Sequence, residues 1–199
     1  LIDGVDTKRV HPIKIETDRS NNAWVVVMYD QSMPYEPPIS PEMYIVLKFS
    51  SDGQQLIDPI FLPNNVYPHD LLVDGFDDVW MTNTIPSNNR TTGSVFHISK
   101  NGQILKEVKD YIHPSTGMVT QFDKPSQIIL DMEDNLWISN RGNELIRMVT
   151  DTKINKPQYS VDFITNAGLR WVDDQAAIDV HGRRSAIEAL SCDSDNRLV

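Results

Sequence analysis

Five histidines, twenty-eight carboxylates and a single cysteine are the side chains of this chain that could carry chemistry. His69 has the best position: it directly follows Pro68 at the head of an apolar run. An imidazole there could move a proton near neutral pH, but general acid–base work on an ester or lactone needs a second proton carrier or a metal beside it. His11 precedes a proline, His97 falls within a strand-like run, and His113 and His181 fall in loop-like stretches. The carboxylates cluster in turns: Asp74, Asp77 and Asp78; Asp131, Glu133 and Asp134; Asp193 and Asp195. Oxygen-rich turns of this kind could hold calcium. None has the alternating D-x-D-x-D-G spacing of a dedicated calcium loop, and tight turns select Asp and Asn for backbone reasons alone. Cys192 has no cysteine to pair with, which excludes an internal disulfide and a thiolate metal site. No Ser-His-Asp elbow, phosphate-binding loop or dinucleotide glycine pattern is present. From the residues alone we expect no catalytic centre, no metal site and no cofactor.

The elements that would position these residues recur. Lys124 to Asn140 reads KPSQIILDMEDNLWISN, a proline, an apolar run, an acidic turn and an aromatic strand. Tyr67 to Asn83, YPHDLLVDGFDDVWMTN, repeats it; His11 to Val27 is an earlier copy and Ser185 to Val199 a degraded fourth. Trp24, Trp80 and Trp137 stand 56 and 57 residues apart, and Pro12, Pro68 and Pro125 keep the same intervals. Between the copies lie further strand signals: YIVLKFS, a Ser51-Asp52-Gly53 turn and QQLIDPIFL; SVFHIS, an Asn101-Gly102 turn and QILKEV; ELIRMVT and YSVDFI. Asp-Gly and Asn-Gly between apolar alternations mark hairpins. Each unit is thus two hairpins, or four strands. Helical periodicity is nearly absent, and Asp173 to Leu190 is read as an irregular insertion.

Tandem four-stranded units of this length predict an all-β fold, a β-propeller or propeller segment of antiparallel blades with a repeat of about 56 residues. One such sheet cannot cover both of its apolar faces, and stacking the next sheet against it does so. The tryptophans are therefore expected as packing between blades. We read residues 1–199 as one propeller segment, with blades at about 11–66, 67–123 and 124–184 and a partial blade at 185–199. The count falls short of the 4 to 8 blades of a closed ring, so a longer polypeptide is expected.

A net charge of −10 argues against a nucleic-acid partner. No apolar run approaches the roughly 20 residues of a membrane-spanning helix. Residues 31–43, QSMPYEPPISPEM, form a long loop stiffened by Pro34, Pro37, Pro38 and Pro41. A stiff loop loses less entropy on binding, and Met33, Tyr35 and Ile39 supply apolar and aromatic anchors. These three are candidate binding residues toward other protein subunits.

The recurring P-x-x-I/L-x-x-D-x-x-(D/N)-(D/N)-x-W element resembles the blades of streptogramin-lyase-like and NHL-type propellers over most of residues 11–150. It is also similar to propeller-like virion structural proteins of tailed bacteriophages. The resemblance implies that the strand after each proline is innermost and that its start shares one channel mouth with the loop between the second and third strands. Ile13, His69, Ser126 and Ile187, and next to them Lys14, Asp70, Gln127 and Glu188, would then line that mouth. The loops 34–42, 86–93 and 141–144 would ring it. Asp70, Gln127 and Arg141 join the binding candidates on this ground. The lyase-like enzymes use histidines and a glutamate at that mouth with a divalent metal, which makes His69 and Glu188 the catalytic candidates that the resemblance implies. Only one of the four equivalent places holds a histidine.

The reading that joins these points is a non-enzymatic structural or binding module of a larger extracellular or virion assembly, such as a phage tail or adhesion component. A lyase-like or lactonase-like propeller enzyme and a periplasmic sensor propeller of a bacterial signalling protein are the alternatives.

Overall fold

The computed structural model describes residues 10–29, 43–85, 92–140, 144–150 and 159–166. Every regular element among them is a strand, and all sheet pairing is antiparallel.

The first unit is the sheet β1 (Val10–Thr17), β2 (Ala23–Tyr29), β3 (Met43–Phe49) and β4 (Ile60–Phe61), paired in that order. The second is β5 (Pro68–Val73), β6 (Val79–Ile85), β7 (Thr92–Ile98) and β8 (Ile104–Val108). A two-stranded hairpin follows, β9 (Asp110–Ile112) with β10 (Val119–Gln121). The third sheet is β11 (Ile128–Leu130), β12 (Leu136–Asn140), β13 (Glu144–Thr150) and β14 (Tyr159–Asn166). The expected plan of four strands in two hairpins therefore holds for three units, and none of the sheets closes on itself. Two details differ from the sequence reading. The expected strand over 54–62 is reduced to Ile60–Phe61 with an isolated bridge between Phe49 and Gln55. Pro59 has no N–H to give to a ladder, so pairing cannot run through it. The β9–β10 hairpin was not anticipated, because two strands of three residues are too short to show an alternation.

The sheets stack through two apolar layers. Trp24, Val26, Tyr44 and Val46 of the first sheet pack with Leu71, Val79, Met81, Phe96 and Ile98 of the second. Trp80 and Val95 of the second pack with Ile128, Leu136, Ile138, Ile146 and Met148 of the third, with Tyr111 and Phe122 filling in from the hairpin region. Trp24 and Trp80 thus each point toward the next sheet. Trp24 is 0% and Trp80 1% exposed, as packing between blades requires. Trp137 is only half-buried. It lies on the side of the third sheet turned away from the second, where no further sheet follows among the described residues.

Side-chain hydrogen bonds also tie β6 to the segment that leads into β11. Thr82 Oγ1 donates to the Ser126 carbonyl at 2.6 Å, and Thr84 Oγ1 to the Pro125 carbonyl at 2.9 Å. Gly93 sits where these segments meet. A Cβ there would lie 2.1 Å from Pro125 Cδ and 2.6 Å from the Asn83 carbonyl oxygen, so only glycine allows the approach.

Candidate functional site

The acidic turns come first, because their geometry is the same three times. Asp18, Asp74 and Asp131 each open the turn between the first two strands of their sheet. One carboxylate oxygen accepts the backbone N–H groups two and four residues on. The acceptor distances are 3.0 and 2.9 Å for Ser20 and Asn22, 2.8 and 3.0 Å for Phe76 and Asp78, and 2.9 Å for both Glu133 and Asn135. The residue three positions on takes the left-handed conformation in every case: Asn21 at φ 59°, Asp77 at 66° and Asp134 at 62°. Asn and Asp tolerate that region best among residues with a side chain, which accounts for the recurrence of D-x-x-(N/D)-(D/N) on backbone grounds.

The second carboxylate oxygen reaches the tryptophan. Trp80 Nε1 donates to Asp74 Oδ2, and Trp137 Nε1 to Asp131 Oδ2, each at 2.9 Å. In the first unit Asp18 Oδ2 instead holds Lys48 Nζ at 3.0 Å and accepts from Asn22 Nδ2 at 2.9 Å. The buried Trp24 indole N–H then has no acceptor among the described residues.

A third element completes the constellation. The residue paired with each tryptophan across the ladder is Lys48, His97 or Arg147. Lys48 Nζ lies 4.7 Å from the Trp24 ring centroid, and the Arg147 guanidinium 5.6 Å from that of Trp137. The face of an indole attracts such cations. His97 lies flat on Trp80, with centroids 4.0 Å apart and planes 8° apart, and its Nε2 is 3.1 Å from Asp78 Oδ2. The other oxygen of Asp78 accepts the Lys100 N–H at 2.8 Å.

The electrostatics separate the second unit from its neighbours. Burial alone would raise Asp18 and Asp131. Their hydrogen bonds from Asn22 and from Asn135 and Trp137, with Lys48 beside Asp18, outweigh it and hold both carboxyls below the usual carboxylate range. For Asp74 burial wins, aided by the neighbouring charge of Asp78, and its carboxyl is pushed up. Asp78 is held low against its own burial by the His97 and Lys100 contacts.

These turns form a row. The Arg19 N–H of the first turn donates to Asp77 Oδ1 of the second at 3.1 Å. Gly75 is approached by both flanking turns: a Cβ on it would lie 2.7 Å from Arg19 Nη2 and 3.5 Å from Asp134 Oδ1.

At the opposite ends of the first strands stand the residues that the resemblance placed at a channel mouth. Lys14 Nζ is 2.6 Å from Asp70 Oδ1, and Asp70 Oδ2 accepts the Ile128 N–H at 3.0 Å. Asp70, 5% exposed, is thus engaged within the protein by residues of the first and third units. Gln127 is half-buried, and its N–H donates to Ser139 Oγ. His69 is exposed, and both it and Ile13 are the extra residue of a register shift directly after the proline. A bulge re-aims one side chain, so the exposure of His69 follows from backbone geometry that its isoleucine counterpart shares. Among the described residues, the side chains grouped closely enough to share a metal ion are Asp74, Asp78 and His97, and His69 is not one of them. Met33, Tyr35, Ile39, Arg141 and Glu188 lie outside the described residues, as do the loop 34–42 and most of the loops 86–93 and 141–144.

Sequence reasoning did not find the roles of two further positions. Asn83 and Asn140, each three residues after a tryptophan, accept the N–H of Tyr67 at 2.6 Å and of Asp123 at 2.9 Å, closing the chain back onto the start of the unit. Their repetition at the end of VWMTN and LWISN was the available signal. Nor did it single out the alternation of Lys48, His97 and Arg147, which lie 49 and 50 residues apart and off the 56-residue register. Compared with known proteins, the chain matches no family model and no curated protein sequence.

Proposed function

We propose that this chain is a β-propeller segment acting as a non-enzymatic structural or binding module of a larger extracellular or virion assembly. The observation that carries the reading is the stacking of three successive four-stranded sheets, with their first strands tied through Lys14, Asp70 and the Ile128 N–H. Such a scaffold spends its polar groups on itself. Asp18, Asp70, Asp74 and Asp131 all accept backbone N–H groups, and the indoles are used as packing. Recognition then falls to loops, which packing leaves free to vary. The proline-rich 31–43 loop with Met33, Tyr35 and Ile39 is the segment we assign to contact with neighbouring subunits. No specific observation favours the enzyme reading, since an exposed bulge histidine is not by itself an acid–base pair.

A panel of lactones and unsaturated esters, assayed with and without magnesium or manganese, tests the non-enzymatic part. The expected result is no turnover above the protein-free rate. Turnover that His69→Ala abolishes would replace this reading by the lyase-like one. Electron microscopy of the full polypeptide tests the architecture, with a ring of radially arranged sheets expected and an open stack refuting the propeller.

A further inference from the structure

We propose that Asp74, Asp78 and His97 form a site for a divalent transition-metal cation of the zinc type in the second unit. The inference starts from a comparison within the chain. In the first unit one carboxylate, Asp18, lies beside a fixed cation, with Lys48 Nζ 3.0 Å from its Oδ2. In the third unit Arg147 stands at the same ladder position, over the ring of the tryptophan that donates to Asp131. Asn22 and Asn135 stand, neutral, four residues after those aspartates. In the second unit the neutral asparagine is replaced by Asp78 and the fixed cation by His97. The second unit therefore brings two carboxylates and an imidazole together, and Lys48 of the first unit shows that a cation can sit beside such a turn aspartate.

The geometry is suitable. One ligand atom from each of the three residues lies within 4.8 Å of the other two. His97 Nε2 and Asp78 Oδ2 are 3.1 Å apart, near the separation of about 3.4 Å between two ligands of a tetrahedral ion with bonds of about 2.1 Å. Asp74 is held by the N–H groups of Phe76 and Asp78 and by the Trp80 indole, and His97 by its stacking on Trp80. Donors and packing of this kind orient the ligands of built metal sites. The imidazole is nearly buried, while the Asp78 side chain keeps 22% exposure, which leaves a route to solvent on its side. Lys100 in the adjoining turn and Lys106 across the ladder are the neighbouring ammonium groups, and both are exposed. One nitrogen and two carboxylates suit zinc better than calcium, which takes six to eight oxygens.

The test is calorimetric titration of the chelator-stripped chain with zinc chloride at pH 7.5, with thermal unfolding followed in parallel. We expect one zinc per chain and a higher melting temperature with metal, and no effect of calcium at equal concentration. His97→Lys installs the first unit's arrangement. It should retain or raise the metal-free melting temperature and weaken zinc binding at least tenfold. Asp78→Asn keeps the stacked imidazole and should weaken binding likewise, which covers the case where the lysine variant folds poorly. His69→Ala should bind as the wild type does. Absence of zinc binding, undiminished binding in Asp78→Asn or His97→Lys, or an equal response to calcium would each overturn the assignment.

Discussion

Replacing Asp70 by alanine tests whether the first strands of the three sheets are held together as we describe. The carboxylate is 5% exposed, and its two oxygens do different work. Oδ2 accepts the Ile128 N–H from the third sheet, a charge-assisted bond whose loss costs about 1.5–3 kcal/mol because it leaves a buried donor unpaired. Oδ1 meets Lys14 of the first sheet, but that lysine side chain is 36% exposed, so solvent screens the pair and its contribution is about 0.5–1 kcal/mol. Together Asp70→Ala should destabilise by about 2–4 kcal/mol, read from the midpoint of urea unfolding with the slope unchanged. Asp70→Asn keeps one acceptor for Ile128 and should cost less than half as much. Lys14→Met alone should cost under about 1 kcal/mol, and a double-mutant cycle should give a coupling of the same size. A coupling above about 2 kcal/mol would mean that the ion pair dominates. An Asp70→Ala cost below about 1 kcal/mol would mean that the first strands are not tied through this residue.

Trp80→Ala should cost about 3–5 kcal/mol, as expected for a fully buried large side chain, and Trp137→Ala clearly less, because its ring is only half-buried; equal costs in urea unfolding would show that the two faces are packed alike. Asp131 supplies a pH dependence. Its folded carboxyl sits below its unfolded value, so its contribution is present above the ordinary aspartate range near 4 and is lost as pH falls through the folded value. Asp131→Asn should therefore lower the melting temperature at pH 7, with the gap to the wild type narrowing as pH falls below the ordinary aspartate range, and a constant or widening gap on acidification would reverse the sign of that argument.

The fold was legible to the extent that packing repeats itself in one dimension. Trp24, Trp80 and Trp137 with Pro12, Pro68 and Pro125 gave the unit length, and the strands between them fell where β-branched and aromatic runs stood. What escaped was whatever pairs through geometry instead of period. The 54–62 segment looked like a full strand because Leu56, Ile57, Ile60, Phe61 and Leu62 follow a hairpin turn, yet Pro59 interrupts the ladder. The β9–β10 hairpin is held by Gly117 at φ 67° and by backbone bonds between His113 and Met118, neither of which has a hydrophobic pattern. That Asp70 is buried and shared among three strands depends on the sheets' relative position, which one unit's sequence does not contain.

The same limit explains why the Asp–Trp–cation grouping was missed although its aspartates and tryptophans were noticed. The aspartates were read as turn formers, and the tryptophans as fillers. Lys48, His97 and Arg147 were read as strand residues of a third strand whose offset varies with loop length. Their coincidence appears only once the ladder pairs Trp24 with Lys48, Trp80 with His97 and Trp137 with Arg147. Packing constrains the indole tightly, because its volume fills the space between sheets. It constrains the partner loosely, because any flat or extended cation can lie on an indole face. Drift at the partner position therefore leaves the fold intact while changing the charge held beside the aspartate. In the second unit His97 stands at the partner position, and Asp78 stands four residues after the turn aspartate, where the neighbouring units have Asn22 and Asn135. The position thus gathers three side chains able to bind a metal, although neither residue alone departs from what the repeat allows.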